Sequence, residues 1–212
     1  GFRTQLSAYG TITSALSGLQ TASQALQTTE KFLSFKTTVS DEKILTASAS
    51  SSAVAGSFNV EVSTLAQAQQ LSKGGFLNST EVVGTGTLHL ELGSYSGGVF
   101  TANPDKTAKD IAIATTSNTL AGIRDAINRA GAGVSATIVN GVAGSQLFIT
   151  ANDTGATNSV RITAIDDDGN NTDDAGLSKL VYDPTAAGGN VSNLTETVAA
   201  TNAALKINGI DV

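Results

Sequence analysis

The sequence predicts an α+β chain, mostly β, and three patterns carry the prediction. From Tyr9 to Leu26 the apolar residues recur in alternating steps of three and four, the signature of an amphipathic helix with a coiled-coil-like seam. Downstream, apolar and polar residues alternate in short runs such as Phe58–Val62 and Thr87–Leu92, as half-buried strands require. Between strand runs, Leu120, Ile123, Ile127 and Ala130 return to helical spacing.

The first helix is expected from Gly1 to about Lys31, with Phe2, Leu6, Tyr9, Ile12, Leu16, Leu19 and Leu26 as its packing seam. Ser23 fills one vacant seam slot, and Gly10 and Gly18 are weak points on a face otherwise made of Thr, Ser and Gln. A single helix cannot bury such a stripe against itself. Its cover is expected in a segment outside this sequence or in another subunit. The chain also opens mid-pattern at Gly1-Phe2-Arg3 and contains no methionine, so it is expected to be an internal piece of a longer protein.

In the strand run Phe58–Val62, Phe58, Val60 and Val62 share one face. Leu65–Leu71 continues it as a polar strand or an irregular extension, and Asn78-Ser79-Thr80 marks a joint. Gly84-Thr85-Gly86 leads into Thr87–Leu92, whose leucines face one way, and Gly93–Thr107 reads as a turn or loop. Asn118 is the expected N-cap of the second helix, and Gly131 is placed to end it. Strands Val134–Val139, Gln146–Ala151 and Val160–Ala164 then form a three-stranded meander that makes one compact unit with the helix. Gly188–Asn193 reads as a linker, and a last strand, Leu205-Lys206-Ile207, breaks at Asn208-Gly209.

Composition narrows the function classes. Hydrophobic residues make up 40% and charged residues 14%, so Ser, Thr, Asn, Gln and Gly must carry the surface. Only 12 Lys and Arg stand against 18 Asp and Glu, which argues against nucleic acid, where affinity comes from cations displacing counterions. The absence of cysteine removes disulfides, thiolate zinc sites and a thiol nucleophile. No run approaches the ~18 apolar residues of a membrane span, so membrane insertion is not expected.

Candidate sites fall to spacing and polarity. Gly131-Ala132-Gly133-Val134-Ser135-Ala136 fits G-x-G-x-x-A, but a phosphate loop must follow a strand and open a helix. Here the glycines close a helix and open a strand, so Gly131 and Gly133 are a structural joint. The lone histidine, His89, lies on the outward face between Leu88 and Leu90 and reads as an ordinary surface residue. Asp166–Asp174 is dense in carboxylates, but an EF-hand started at Asp166 puts Asn171 and Leu177 where Gly and Glu are required, so it reads as a solvated loop. Four glycosylation-type triplets, at Asn78, Asn152, Asn170 and Asn193, arise by chance in a chain so rich in Asn, Ser and Thr. No catalytic, cofactor or metal residues emerge.

Three stretches carry a resemblance over nearly the whole chain. They are Gln5-Leu6-Ser7-Ala8-Tyr9-Gly10 with Ser14-Ala15-Leu16, Ala53–Val62 running into Leu65-Ala66-Gln67-Ala68-Gln69, and Asn118–Val139 extended through Gly144 and Leu147 to Ser159. Leu205–Ile210 adds a closing strand. In order and spacing these resemble the bacterial flagellar cap protein family (FliD, flagellar hook-associated protein 2), N-terminal half. The stretches Phe76–Thr116 and Asp166–Asn193 match nothing in that pattern.

The resemblance implies a leg helix followed by two β-rich head domains, the second inserted into the first. Residues 1–35 would belong to the helical leg, 36–78 with 193–212 to the inner head domain, and 79–192 to the inserted outer one. It further implies a homo-oligomeric ring at the flagellum tip that holds exported flagellin until it inserts, beside adjacent filament or hook–filament junction subunits. Such a protein is extracellular, leaves through the flagellar export channel and needs no cofactor. The alternative is a secreted adhesin module that binds host glycan or matrix, with an enzyme a distant third. The seam from Tyr9 to Leu26 separates the first two, because a stand-alone adhesin domain needs no helical partner.

Overall fold

The computed structural model describes residues 1–26, 35–185, 189 and 191–212. The expected end of the first helix near Lys31, and Gly188 and Asn190 of the expected linker, lie outside those residues. The chain divides into two compact units, Gly1–Asn59 and Val60–Val212.

In the first unit, helix α1 runs from Phe2 to Leu26 without a break at Gly10 or Gly18. The hydroxyls of Thr11, Thr13 and Thr21 donate to the carbonyls of Ser7, Tyr9 and Ser17 one turn back, at 3.0, 2.8 and 2.9 Å. These three threonines thus satisfy their hydroxyls within the helix. Phe58, expected in the first strand, stands before it and is exposed.

The second unit holds three sheets. In the smallest, β1 (Val60–Thr64) pairs antiparallel with β12 (Ala204–Ile207), which turns back into β13 (Ile210–Asp211). Asn208 at φ 52° and Gly209 at φ 84° make that turn. Two positive-φ residues match the right-handed twist of a hairpin, and Asn-Gly is the pair that adopts them most cheaply.

A four-stranded sheet runs in the order β11 (Thr195–Val198), β2 (Gln70–Phe76), β7 (Gly144–Ala151), β6 (Val134–Gly141). The six-stranded sheet runs β10 (Val191–Ser192), β9 (Tyr182–Asp183), β8 (Ser159–Asp166), β3 (Gly86–Ser96), β4 (Val99–Ala102), with β5 (Lys109–Ile113) also on β3. Helix α2 (Leu120–Ala130) touches β6 of one sheet and β5 of the other. Leu88, Leu90 and Leu92 of β3, Leu147 and Ile149 of β7, and Leu120, Ile123 and Ile127 of α2 meet in one buried core. Each such side chain stabilises the fold by roughly 1.5–3 kcal/mol.

Several expectations are corrected. The three-stranded meander does not form. β6 and β7 make a hairpin, but β8 crosses to the other sheet, where Val160, Ile162 and Ala164 oppose Leu92, Leu90 and Leu88. The apolar faces of β8 and β3 decide this, since both bury fully in that pairing. Nor is Gly93–Thr107 all loop: β3 continues to Ser96, turns at Gly97-Gly98 and returns as β4. Gly93 sits inside the strand because a side chain there would collide with the Thr101 carbonyl, so this glycine marks a close approach.

The cap of α2 is Thr119, not Asn118. The Thr119 hydroxyl accepts from Gly122 N at 3.1 Å, while the Asn118 carbonyl is taken by Val83 N at 2.8 Å. Residues 191–193 are not a linker. Val191 and Ser192 pair with β9, and the Asn193 amide donates to the carbonyls of Asp173 at 2.6 Å and Ser178 at 2.8 Å. The expected domain boundaries at 78/79 and 192/193 pass through the four-stranded sheet, with β2 and β11 outside them and β6 and β7 inside.

Candidate functional site

The seam of α1 is a long apolar stripe that stands exposed among the described residues. Counting Tyr9 as the first seam position, Ile12, Leu16, Leu19, Ser23 and Leu26 follow at alternating three- and four-residue steps, and Phe2 lies one heptad before. Leu6 falls one residue beyond the corresponding position, which Gln5 holds. At 1.5 Å per residue the helix is roughly 37 Å long. Phe2, Leu6, Tyr9, Ile12, Leu16 and Leu19 are 88, 71, 72, 62, 65 and 67% exposed, which decides that this part of the stripe stands open among the described residues. Burying it against a partner helix would release on the order of 10 kcal/mol before ordering costs. The helix has no acidic residue in its first turn and no basic residue in its last, so charge does little to hold it.

At the joint, Gly131 closes α2 in the left-handed region at φ 60°, and Gly133 follows at φ 76°. The helix turns its carbonyl end toward these glycines, a polarity that repels phosphate. The joint is fastened by Asn128, whose side-chain amide accepts from Ala136 N at 2.7 Å and donates to Ala136 O at 2.9 Å. Asn128 thereby acts as one peptide unit of a neighbouring strand and covers part of the open edge of β6.

His89 lies on the outer face of β3, half-buried, with Nδ1 2.5 Å from Asp110 Oδ1 and Nε2 3.9 Å from Glu91 Oε1. Glu91 continues into Arg161 at 3.1 Å, and Arg161 into the buried Asp183 at 2.8 Å. These contacts form one continuous polar chain across the outer face of the sheet, in which the Arg161 guanidinium stands between the Glu91 and Asp183 carboxylates. Asp183 is further satisfied by the Thr185 hydroxyl at 2.7 Å.

The acidic loop is more than solvated turn. Asp166 is buried and its carboxylate accepts from Ser178 N at 2.8 Å and Asp168 N at 3.4 Å, while its own amide donates to Asn171 at 2.8 Å. Its first carboxylate is thus a tie that holds the loop against the short helix Gly176–Leu180. Gln69 ties the two large sheets: its carbonyl oxygen accepts from Val160 N and its amide donates to Glu196, each at 2.5 Å. Every buried side-chain nitrogen and oxygen among the described residues has a partner. Gln69, Asn128 and Asp183 carried no pattern in the sequence, since an isolated polar residue in a strand or helix looks like any exposed one.

The described residues define a class by architecture: a mostly β unit preceded in the chain by an amphipathic helix with an exposed apolar stripe. Residues 2–69 match the family model of the flagellar hook-associated protein 2 N-terminus. The chain is 36% identical over 212 residues to flagellar hook-associated protein 2 of Escherichia coli K12, covering all of this chain and 42% of that protein. It is 37% identical over 188 residues to the B-type protein of Pseudomonas aeruginosa, covering 87% of this chain and 37% of that one.

Among solved structures it superposes on the D1-D2-D3 domains of the Escherichia coli flagellar cap protein FliD with a TM-score of 0.73 at 33% identity, covering 98% of this chain and 54% of the other. On the D2-D3 domains alone the TM-score is 0.60 at 32% identity, covering 78% and 76%. The chain belongs to the flagellar cap, or flagellar hook-associated protein 2, family. It spans about two-fifths of the length of these curated relatives.

Proposed function

We propose that this chain is the leg-and-head portion of a flagellar filament cap, a protein that works by assembly and catalyses no reaction. It is exported through the flagellar channel and sits outside the cell at the filament tip as one subunit of a homo-oligomeric ring. There it contacts flagellin and the adjacent filament or hook–filament junction subunits, and promotes flagellin insertion and polymerisation. Residues 1–35 belong to the leg, and Gly131 and Gly133 serve as a structural joint. β1, β12 and β13 belong to the inner head domain, with the inserted domain widened to about Gln67–Thr201, where an isolated bridge pairs those two residues.

The observation that supports this reading most is the exposed stretch of the seam, Phe2, Leu6, Tyr9, Ile12, Leu16 and Leu19, whose spacing Leu26 continues in the sequence. A heptad stripe of that length is useful only against other helices. Deleting the gene tests the reading. The expected result is loss of filaments with monomeric flagellin released into the medium. Normal filaments with only attachment to host surfaces lost would replace the cap with an adhesin.

A further inference from the structure

The sequence contains two Asn-Gly pairs, Asn140-Gly141 and Asn208-Gly209, and the fold holds them in different settings. Glycine has no Cβ to hinder its own backbone nitrogen. That nitrogen can therefore reach the side-chain carbon of a preceding asparagine. From the backbone placement of the two pairs we infer that Asn208 is a self-modification site, at which the folded chain converts asparagine to aspartate and isoaspartate while Asn140 is spared.

The step needs only water. Gly209 N bonds to Asn208 Cγ and gives up its proton, the Cγ–Nδ2 bond breaks, and ammonia leaves. Water then adds to one carbonyl of the resulting succinimide and opens the ring. Opening at the main-chain carbonyl carbon leaves isoaspartate, with the chain routed through the former side chain. Opening at Cγ leaves aspartate.

Asn140 is protected by the ladder. Gly141 pairs with Gly144 inside the β6–β7 hairpin. Ala136 turns both its N–H and its C=O away from β7, to Asn128. In an antiparallel pair these directions alternate, so residues an odd number of places away, Gly141 among them, turn theirs toward β7. The Gly141 nitrogen is thus engaged in the hairpin ladder.

The Gly209 nitrogen instead lies in the two-residue turn between the paired Ile207 and Ile210, outside the ladder. The product matters structurally. Isoaspartate adds one backbone carbon to a loop whose two positive-φ residues set the register of Ile207 with Ile210 and Lys206 with Asp211. A lengthened loop cannot keep that register, so β13 leaves the sheet.

The test is to hold the folded chain at mildly alkaline pH and follow both sites by peptide mapping with mass spectrometry, adding an isoaspartate-specific methyltransferase as a second readout. A parallel sample in urea serves as reference. Asn208 is expected to convert roughly tenfold or more faster than Asn140 in the folded chain, since Gly141 must first leave its ladder, and at a similar rate in urea. N208G, which tolerates the left-handed turn, is expected to remove the signal from the peptide that carries this turn. An Asn208 that stays intact in the folded chain, or converts no faster than Asn140, overturns the inference.

Discussion

Gly131 and Gly133 have similar left-handed backbones, yet a side chain would meet different surroundings at each. At Gly131 an added Cβ meets nothing within 4 Å, so G131V is expected to cost roughly the 1–3 kcal/mol of backbone strain alone. At Gly133 the same atom would stand 2.6 Å from Leu92 Cδ1, in the centre of the core, so G133V is expected to cost more. Urea unfolding of the two variants checks the order, and equal losses would contradict it. The sequence showed a glycine joint closing a helix, because the helical and strand patterns meet there. It did not show that Leu92, some forty positions earlier, adds a steric contact to the backbone strain at the second glycine. Side-chain ties such as Gln69 to Val160 and Glu196, or Asn128 to Ala136, were illegible for the same reason: their partners are distant in sequence and a lone amide has no periodicity.

At the scale of elements, alternation made some strands readable and glycine hid others. Leu88, Leu90 and Leu92 announced β3, and Leu147 and Ile149 announced β7, since both bury one face only. β2 was hidden by Gly74 and Gly75 within it, and β5 by the short, charged start of Lys109-Asp110. The destination of β8 was not readable, because its own alternation says which face is buried but not against which sheet. The helix α1 was legible over its described length, and its stability is the open physical matter. An isolated helix of this length is marginal without packing. Its hydroxyl bonds to Ser7, Tyr9 and Ser17 do not replace a partner. Amide exchange across Leu6–Gln24 is therefore expected to be fast in the monomeric chain and slow once a helical partner is supplied. Strong protection in a proven monomer would contradict that.

For the whole molecule, the two tyrosines beside the Gln69 tie couple the large sheets to pH. Burial pushes the Tyr182 phenol up to about 12, with the Glu196 carboxylate adding to it, and burial above all raises Tyr95 further. A phenol whose folded value is raised binds its proton more tightly when folded. Its stabilising contribution is full below the ordinary value near 10 and is lost as pH rises from there through about 12. Unfolding should therefore coincide with phenolate absorbance in that window, whereas Tyr182→Phe should shift the midpoint upward. The larger claim is that the seam of α1 exists to be covered when cap subunits assemble. The most direct measurement is complementation of a deletion strain with the complete gene carrying Leu16→Asp, a charge placed at a central seam position on a surface exposed in this chain. The account predicts a protein that is still made and exported but supports no filaments, with flagellin lost to the medium. Full-length filaments on cells expressing that variant would contradict it.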